Sequence, residues 1–161
     1  MVEVNEKLYV SADAFFNSIA ESVAYDISDS TGKKIRPKQI KKGYSYTKVM
    51  KNKVKRKGDV SITISKWNPP YAYAAEFSSL TGVNYLSYEI EDLEGGYIGV
   101  TYREDFKGVS KSKDLNFKLV NVFFKKKAKR RAIKLLRAIE KYAQEEQVKK
   151  DTKEEATIDT K

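Results

Sequence analysis

Any chemistry in this chain would have to proceed without imidazole or thiol. The 161 residues contain neither His nor Cys, which removes Cys/His zinc sites, thiolate nucleophiles and every triad built on imidazole. Carboxylates, Lys, Tyr and Ser remain. Glu76, Glu89 and Glu104 are acids a cavity could use, but each alternates with apolar neighbours and is expected to face solvent. Asp26 and Asp29 sit about one turn apart on a helical pattern, a spacing that is ordinarily solvated or capping rather than metal-binding. Gly95, Gly96 and Gly99 form a glycine-rich stretch. A phosphate-binding loop should open a helix, whereas this stretch lies between two strand patterns and reads as a hairpin. A desolvated Lys could form a Schiff base, yet no single Lys stands out. No catalytic constellation, metal site or cofactor is expected.

The aromatic residues offer more. Eleven Tyr outnumber seven Phe, and many sit at alternating positions of strand patterns. A strand tyrosine brings apolar area together with a hydroxyl that needs a partner, which suits a partly polar pocket. The residues expected to line such a pocket are Tyr46, Ile62, Tyr73, Phe77, Tyr88, Tyr102, Phe124 and Leu135.

Charge defines a second surface. The formal net charge is +10, which favours acidic partners without choosing among them. On the last helical pattern Lys125, Lys126, Lys129, Arg130, Lys134 and Arg137 lie near Phe123 and near a minor apolar line of Leu115, Leu119, Val122 and Ile133. Apolar and basic groups together suit an anionic lipid surface or an acidic partner; the plainer reading is a solvated helix face. Nucleic acid ranks below lipid, since nothing in the pattern points to base reading. The basic stretch from Lys48 to Asp59 is a strand edge in which Lys discourages edge pairing, with a phosphate grip as the alternative.

The elements that position these residues follow from periodicity. Val2 to Val10 alternates as a short strand. Ser11 caps a helix that places Phe15, Ile19, Val23 and Ile27 on one face and ends at Thr31-Gly32. Pro37 opens a short second helix. From Tyr44 the period becomes two, giving strands around Tyr46, Val60–Ile64, Tyr71–Phe77, Leu86–Ile90 and Ile98–Tyr102. Asn68-Pro69-Pro70, Thr81-Gly82 and Glu94-Gly95-Gly96 separate the later ones. Short turns between successive strands imply an antiparallel meander with one covered face. The cover is a long helix from Asp114 to Tyr142, capped by Asp114 or Ser112. Its stripe of Phe117, Val120, Phe124, Ala128, Ala132, Leu135, Ile139 and Tyr142 is expected to form one wall of the core. Residues 1–145 read as one domain, and 146–161 as a fraying helix end and disordered tail. The N-terminus is too acidic and too short in apolar run for a signal peptide, and no stretch matches a transmembrane helix, so a soluble cytoplasmic protein is expected.

The order of elements resembles the helix-grip fold of the START and birch-pollen-allergen superfamily (SRPBCC). YEIEDLEGGYIGVTYREDF is similar to that superfamily's penultimate hairpin, and KLYVSADAFFNSIAESVAYDI to its opening strand and helix. YDISDSTGKKI, KKGYSYTK and FFKKKAKRRAIKLL resemble an uncharacterised domain-of-unknown-function family of small Gram-positive bacterial proteins. The resemblance implies an α+β helix-grip architecture: a curved antiparallel sheet of about six or seven strands wrapped around the long C-terminal helix, with two short helices after the first strand. It carries no assigned activity and no catalytic residue.

Two classes of function follow. One is a non-catalytic binding module holding a small hydrophobic or lipid-like ligand between sheet and helix. The other is an interaction protein using the basic helix face. Neither reading specifies an oligomeric state.

Overall fold

The computed structural model describes residues 1–51, 57–109 and 116–158, with side chains of 50, 51, 57, 116–124 and 155–158 left out. Strand β1 (Val2–Leu8) leads into helix α1 (Ala12–Thr31), a 3-10 turn (Pro37–Gln39), then β2 (Ser45–Lys51), β3 (Lys57–Asn68), β4 (Ala72–Ser79), β5 (Gly82–Leu93) and β6 (Tyr97–Gly108). Helix α2 (Asn116–Ile158) closes the chain. Among the described residues the six strands form one sheet in the order β1-β6-β5-β4-β3-β2, antiparallel throughout.

Local chemistry sets the boundaries. The Ser11 side chain accepts a hydrogen bond from the Ala14 backbone N–H at 3.2 Å, capping α1. Gly32 ends α1 in the left-handed region at φ 69°, where a side chain would be strained. Glu94–Gly96 makes the three-residue link that pairs Leu93 with Tyr97 across the β5–β6 hairpin. Residues 52–56, in the basic link between β2 and β3, lie outside the described residues, as do Ser112, Asp114 and Leu115 before α2.

One face of the curved sheet is buried and α1 lies over it. Leu8, Ile62, Ile64, Ile98 and Val100 from the sheet meet Phe15 and Ile27 from α1, all nearly or fully buried. Each such side chain contributes about 1.5–3 kcal/mol by leaving water. The outer face is polar: Arg103 Nε lies 2.8 Å from Glu3 and a second guanidinium nitrogen 2.5 Å from Glu89, tying β1, β6 and β5 together.

Helix α2 differs from expectation in two ways. Its buried line runs through Ala132, Leu136 and Ala143. Of the expected stripe Ala132 is buried and Ile139 packs against the core, whereas Leu135 is 41% and Tyr142 46% exposed and their neighbours Leu136 and Ala143 take the buried positions. The reason is where α2 docks. It sits against α1 and β1, where Glu140 accepts from the Tyr9 backbone N–H at 2.6 Å and Gln144 donates to the Tyr9 carbonyl at 2.7 Å. Those two contacts orient the Leu136 side, not the Leu135 side, into the core. The second difference is length. Beyond residue 145, where a disordered tail was expected, the helix continues to Ile158. Gly and Pro are absent from this segment, and Lys149 pairs with Glu146 at 2.7 Å one turn away.

Candidate functional site

A cleft of about 340 Å³ opens on the buried side of the sheet, between α1, strands β2, β4 and β5, and α2. The strands contribute Tyr46, Tyr73, Phe77, Leu86 and Tyr88; α1 contributes Ser18, Ile19, Ser22, Val23, Tyr25 and Asp26; α2 contributes Leu135 and Ile139. Period two brings the strand residues together, because cross-strand pairing sets Tyr73 opposite Tyr88 and Ala75 opposite Leu86. Helical spacing brings Ile19, Val23 and Asp26 to one side of α1. Leu135 is therefore exposed to the cleft: the rotation of α2 that removes it from the core makes it a wall of the site.

An aromatic chain runs along the cleft floor and past both ends. Phe16 meets Trp67 edge-on at 5.1 Å, Trp67 meets Tyr73 at 5.7 Å, Tyr73 stacks on Tyr88 at 6.1 Å, and Tyr88 meets Tyr102 edge-on at 5.2 Å. These edge and offset geometries suit the ring quadrupoles.

The hydroxyls along this floor divide into two kinds. Tyr46 donates to Asp26 at 2.6 Å, and the same carboxylate also holds the Lys48 ammonium. Tyr102 donates to Glu104 at 3.1 Å; Asn84 donates to that carboxylate at 3.2 Å and Arg131 at 3.4 Å. Tyr73 and Tyr88, each only 5% exposed, have no hydroxyl partner among the described residues. Burial is the main cause that raises all four phenols above their ordinary value, Tyr73 to about 12. Asp26 adds to the rise at Tyr46 through its hydrogen bond, and Glu104 adds to that at Tyr102 through its charge.

Of the residues expected to line a pocket, Tyr46, Tyr73, Phe77, Tyr88 and Leu135 border the cleft. Ile62 and Tyr102 do not line it: Ile62 is fully packed at 1% exposure between its cross-strand neighbours Tyr46 and Phe77, and Tyr102 lies on β6, on the far side of Tyr88. The Phe124 side chain lies outside the described residues. Glu104 corrects an expectation, since it shares the inner face with Val100 and Tyr102 and is 23% exposed at its side chain. Period two already predicts that side, because it lies two residues beyond Tyr102. Asp26, expected as a solvated or capping group, instead receives Tyr46 and Lys48 with its side chain 28% exposed; its position three residues beyond Val23, on the flank of the α1 stripe, is the sequence signal for that.

The basic helix face is divided. Lys125, Lys126, Lys129, Arg130 and Lys134 are exposed and form no ion pair among the described residues. Arg137 instead turns to β1, 2.5 Å from Glu6 and 3.2 Å from Glu140, and donates to the Lys7 carbonyl. The side chains of Leu119, Val122 and Phe123 lie outside the described residues, and Ile133 is 37% exposed. No group of three or more potential metal-ligating side chains occurs among the described residues, and no described helix is long and apolar enough to cross a membrane.

The family described as a domain of unknown function, DUF3284, matches residues 2–125, from β1 into the opening of α2. No curated protein matches the chain. Several solved structures share the fold. The ZhuI aromatase/cyclase from Streptomyces sp. R1128 aligns with a TM-score of 0.58 at 15% identity, covering 89% of this chain and 92% of that one. SA2116, a protein of unknown function from Staphylococcus aureus, aligns at 0.57 and 12% identity, covering 92% and 96%. Ara h 8.0201 aligns at 0.55 and 13% identity, covering 89% and 96%. At these identities the likeness establishes the helix-grip fold.

Proposed function

We propose that this chain, which belongs to the DUF3284 family, is a non-catalytic binding module that holds a small hydrophobic ligand between sheet, α1 and α2. The observation that carries this reading is the cleft itself: about 340 Å³, floored by aromatic rings and walled by Leu135 and Ile139. Its size and largely apolar lining match small-ligand sites in general. Structural neighbours include an aromatase/cyclase, so catalysis is the competing use of such a cleft. The chemistry on the floor favours binding. Phenols held protonated by burial donate hydrogen bonds but do not serve as bases near neutral pH.

Native mass spectrometry of gently purified protein tests the reading. An apolar compound should accompany the folded protein and be absent after denaturation. Leu135→Arg, which places a charge at the cleft wall without disturbing the packed side of α2, should abolish its retention. Absence of any bound compound, together with no uptake of a neutral apolar dye, would overturn the proposal.

A second reading is favoured by the exposed cations Lys125, Lys126, Lys129, Arg130 and Lys134, which form no ion pair among the described residues. Each basic residue near an anionic bilayer contributes about 1 kcal/mol. On this reading the protein co-floats with anionic vesicles, loses them as salt rises, and fails to bind when Lys125 and Arg130 are both changed to Glu. Equal recovery on neutral vesicles would remove it.

A further inference from the structure

The polar groups on the cleft floor narrow the class of ligand, on the premise that the cleft binds one. Ser30 Oγ is the one fully sealed side-chain polar atom without a partner among the described residues. The hydroxyls of Tyr73 and Tyr88 are likewise without a hydrogen-bond partner among the described residues, and both residues line the cleft. A buried hydroxyl left without a partner carries a desolvation cost that a ligand oxygen would relieve.

Charge narrows the class further. No Lys or Arg lines the cleft among the described residues, and its one ionisable carboxylate, Asp26, already receives Tyr46 and Lys48. An anionic ligand would give up its hydration with no Lys or Arg among the described lining residues to receive it. A ligand with no acceptor would leave both floor hydroxyls unsatisfied.

We infer that the cleft selects neutral, mainly apolar ring compounds carrying a carbonyl or similar acceptor oxygen, received by the hydroxyls of Tyr73 and Tyr88. Both hydroxyls remain donors across the physiological range, since burial holds Tyr73 protonated up to about 12 and raises Tyr88 as well. Tyr46 is excluded from the role because its proton is already given to Asp26.

Three probes of one ring shape separate the terms: fluorene, 9-fluorenone and fluorene-9-carboxylate, measured by equilibrium dialysis against the whole chain. Fluorenone should bind roughly five- to tenfold more tightly than fluorene, the worth of one buried hydrogen bond. The carboxylate should bind more weakly than fluorenone by tenfold or more. In the double variant Tyr73→Phe with Tyr88→Phe, which keeps both rings, the preference for fluorenone over fluorene should vanish while fluorene affinity holds or rises. Equal affinity for fluorene and fluorenone in the native chain, tight binding of the carboxylate, or an undiminished preference in the double variant would each overturn this inference while leaving a binding module standing. Failure of all three probes to bind would overturn the inference and the binding-module reading together.

Discussion

The two flanks of the inner sheet face are finished in opposite ways. Toward β1 and β6 almost everything is satisfied: Leu136 is fully buried, the Tyr9 N–H donates to Glu140 while its carbonyl accepts from Gln144, Arg137 bridges to Glu6, and Tyr102 has Glu104. Toward β4 and β5 the same kinds of residue are left incomplete. Tyr73 and Tyr88 lack hydroxyl partners among the described residues, and Leu135 is 41% exposed. One helix, α2, serves both flanks with adjacent residues. The contrast separates the closed flank, which holds the fold, from the flank on which the proposed binding site lies and where local rules are broken.

The largest test of that division is Leu136→Ala, which should cost about 2–5 kcal/mol in denaturant unfolding, the range for truncating a fully buried Leu. A loss under about half a kcal/mol would mean that α2 is not anchored on the closed flank. Alkaline titration comes next. Tyr46, Tyr73, Tyr88 and Tyr102 have raised values, so their contribution to stability is full below the ordinary phenol value of 10 and is lost as pH climbs through the folded-state values. Phenolate absorbance should therefore show these four buried tyrosines of the eleven ionising late, Tyr73 near pH 12, together with loss of the fold; the exposed Tyr71 and Tyr142 are also raised, by Asp92 and by Glu21 respectively. Simultaneous titration of all eleven near pH 10 would erase the contrast. Arg137→Met should cost about 1 kcal/mol, since its pairs are half exposed and screened by solvent. Smallest of all, Leu135→Ala should change stability by less than about 0.5 kcal/mol, and its effect should appear in ligand retention. A large stability loss there would place Leu135 in the core after all.

Much of the fold was legible because its signals are local. Ser11, Gly32, the Asn68-Pro69-Pro70 break and the Glu94-Gly95-Gly96 link act through neighbouring backbone, and period two marks the strands wherever one face is buried. The orientation of α2 was not legible. Leu135 and Leu136 are equally apolar, and what chooses between them is the pairing of Glu140 and Gln144 with Tyr9, more than 130 residues away in sequence. How far the expected fraying helix end extends was not legible, because composition rich in Glu and Lys describes both a disordered segment and a helix laced by pairs such as Glu146–Lys149. Four cleft residues, Tyr46, Tyr73, Phe77 and Tyr88, follow from strand alternation, and Leu135 from helical spacing. Asp26 could not be assigned its role, since only the fold brings it to Tyr46 and Lys48 of β2.

The aromatic chain beneath the cleft has an optical consequence. Trp67 is the single tryptophan, and it stands next to Tyr73 at 5.7 Å, with Tyr88 and Tyr102 following in series. Light absorbed by those phenol rings passes downhill to the indole, because tyrosine emission overlaps tryptophan absorption and the rings are nearly in contact. The floor of the cleft thus works as an antenna that gathers excitation at one emitter. The protein carries its own gauge of whether the space above Tyr73 is filled, readable in the colour and yield of a single indole without any label.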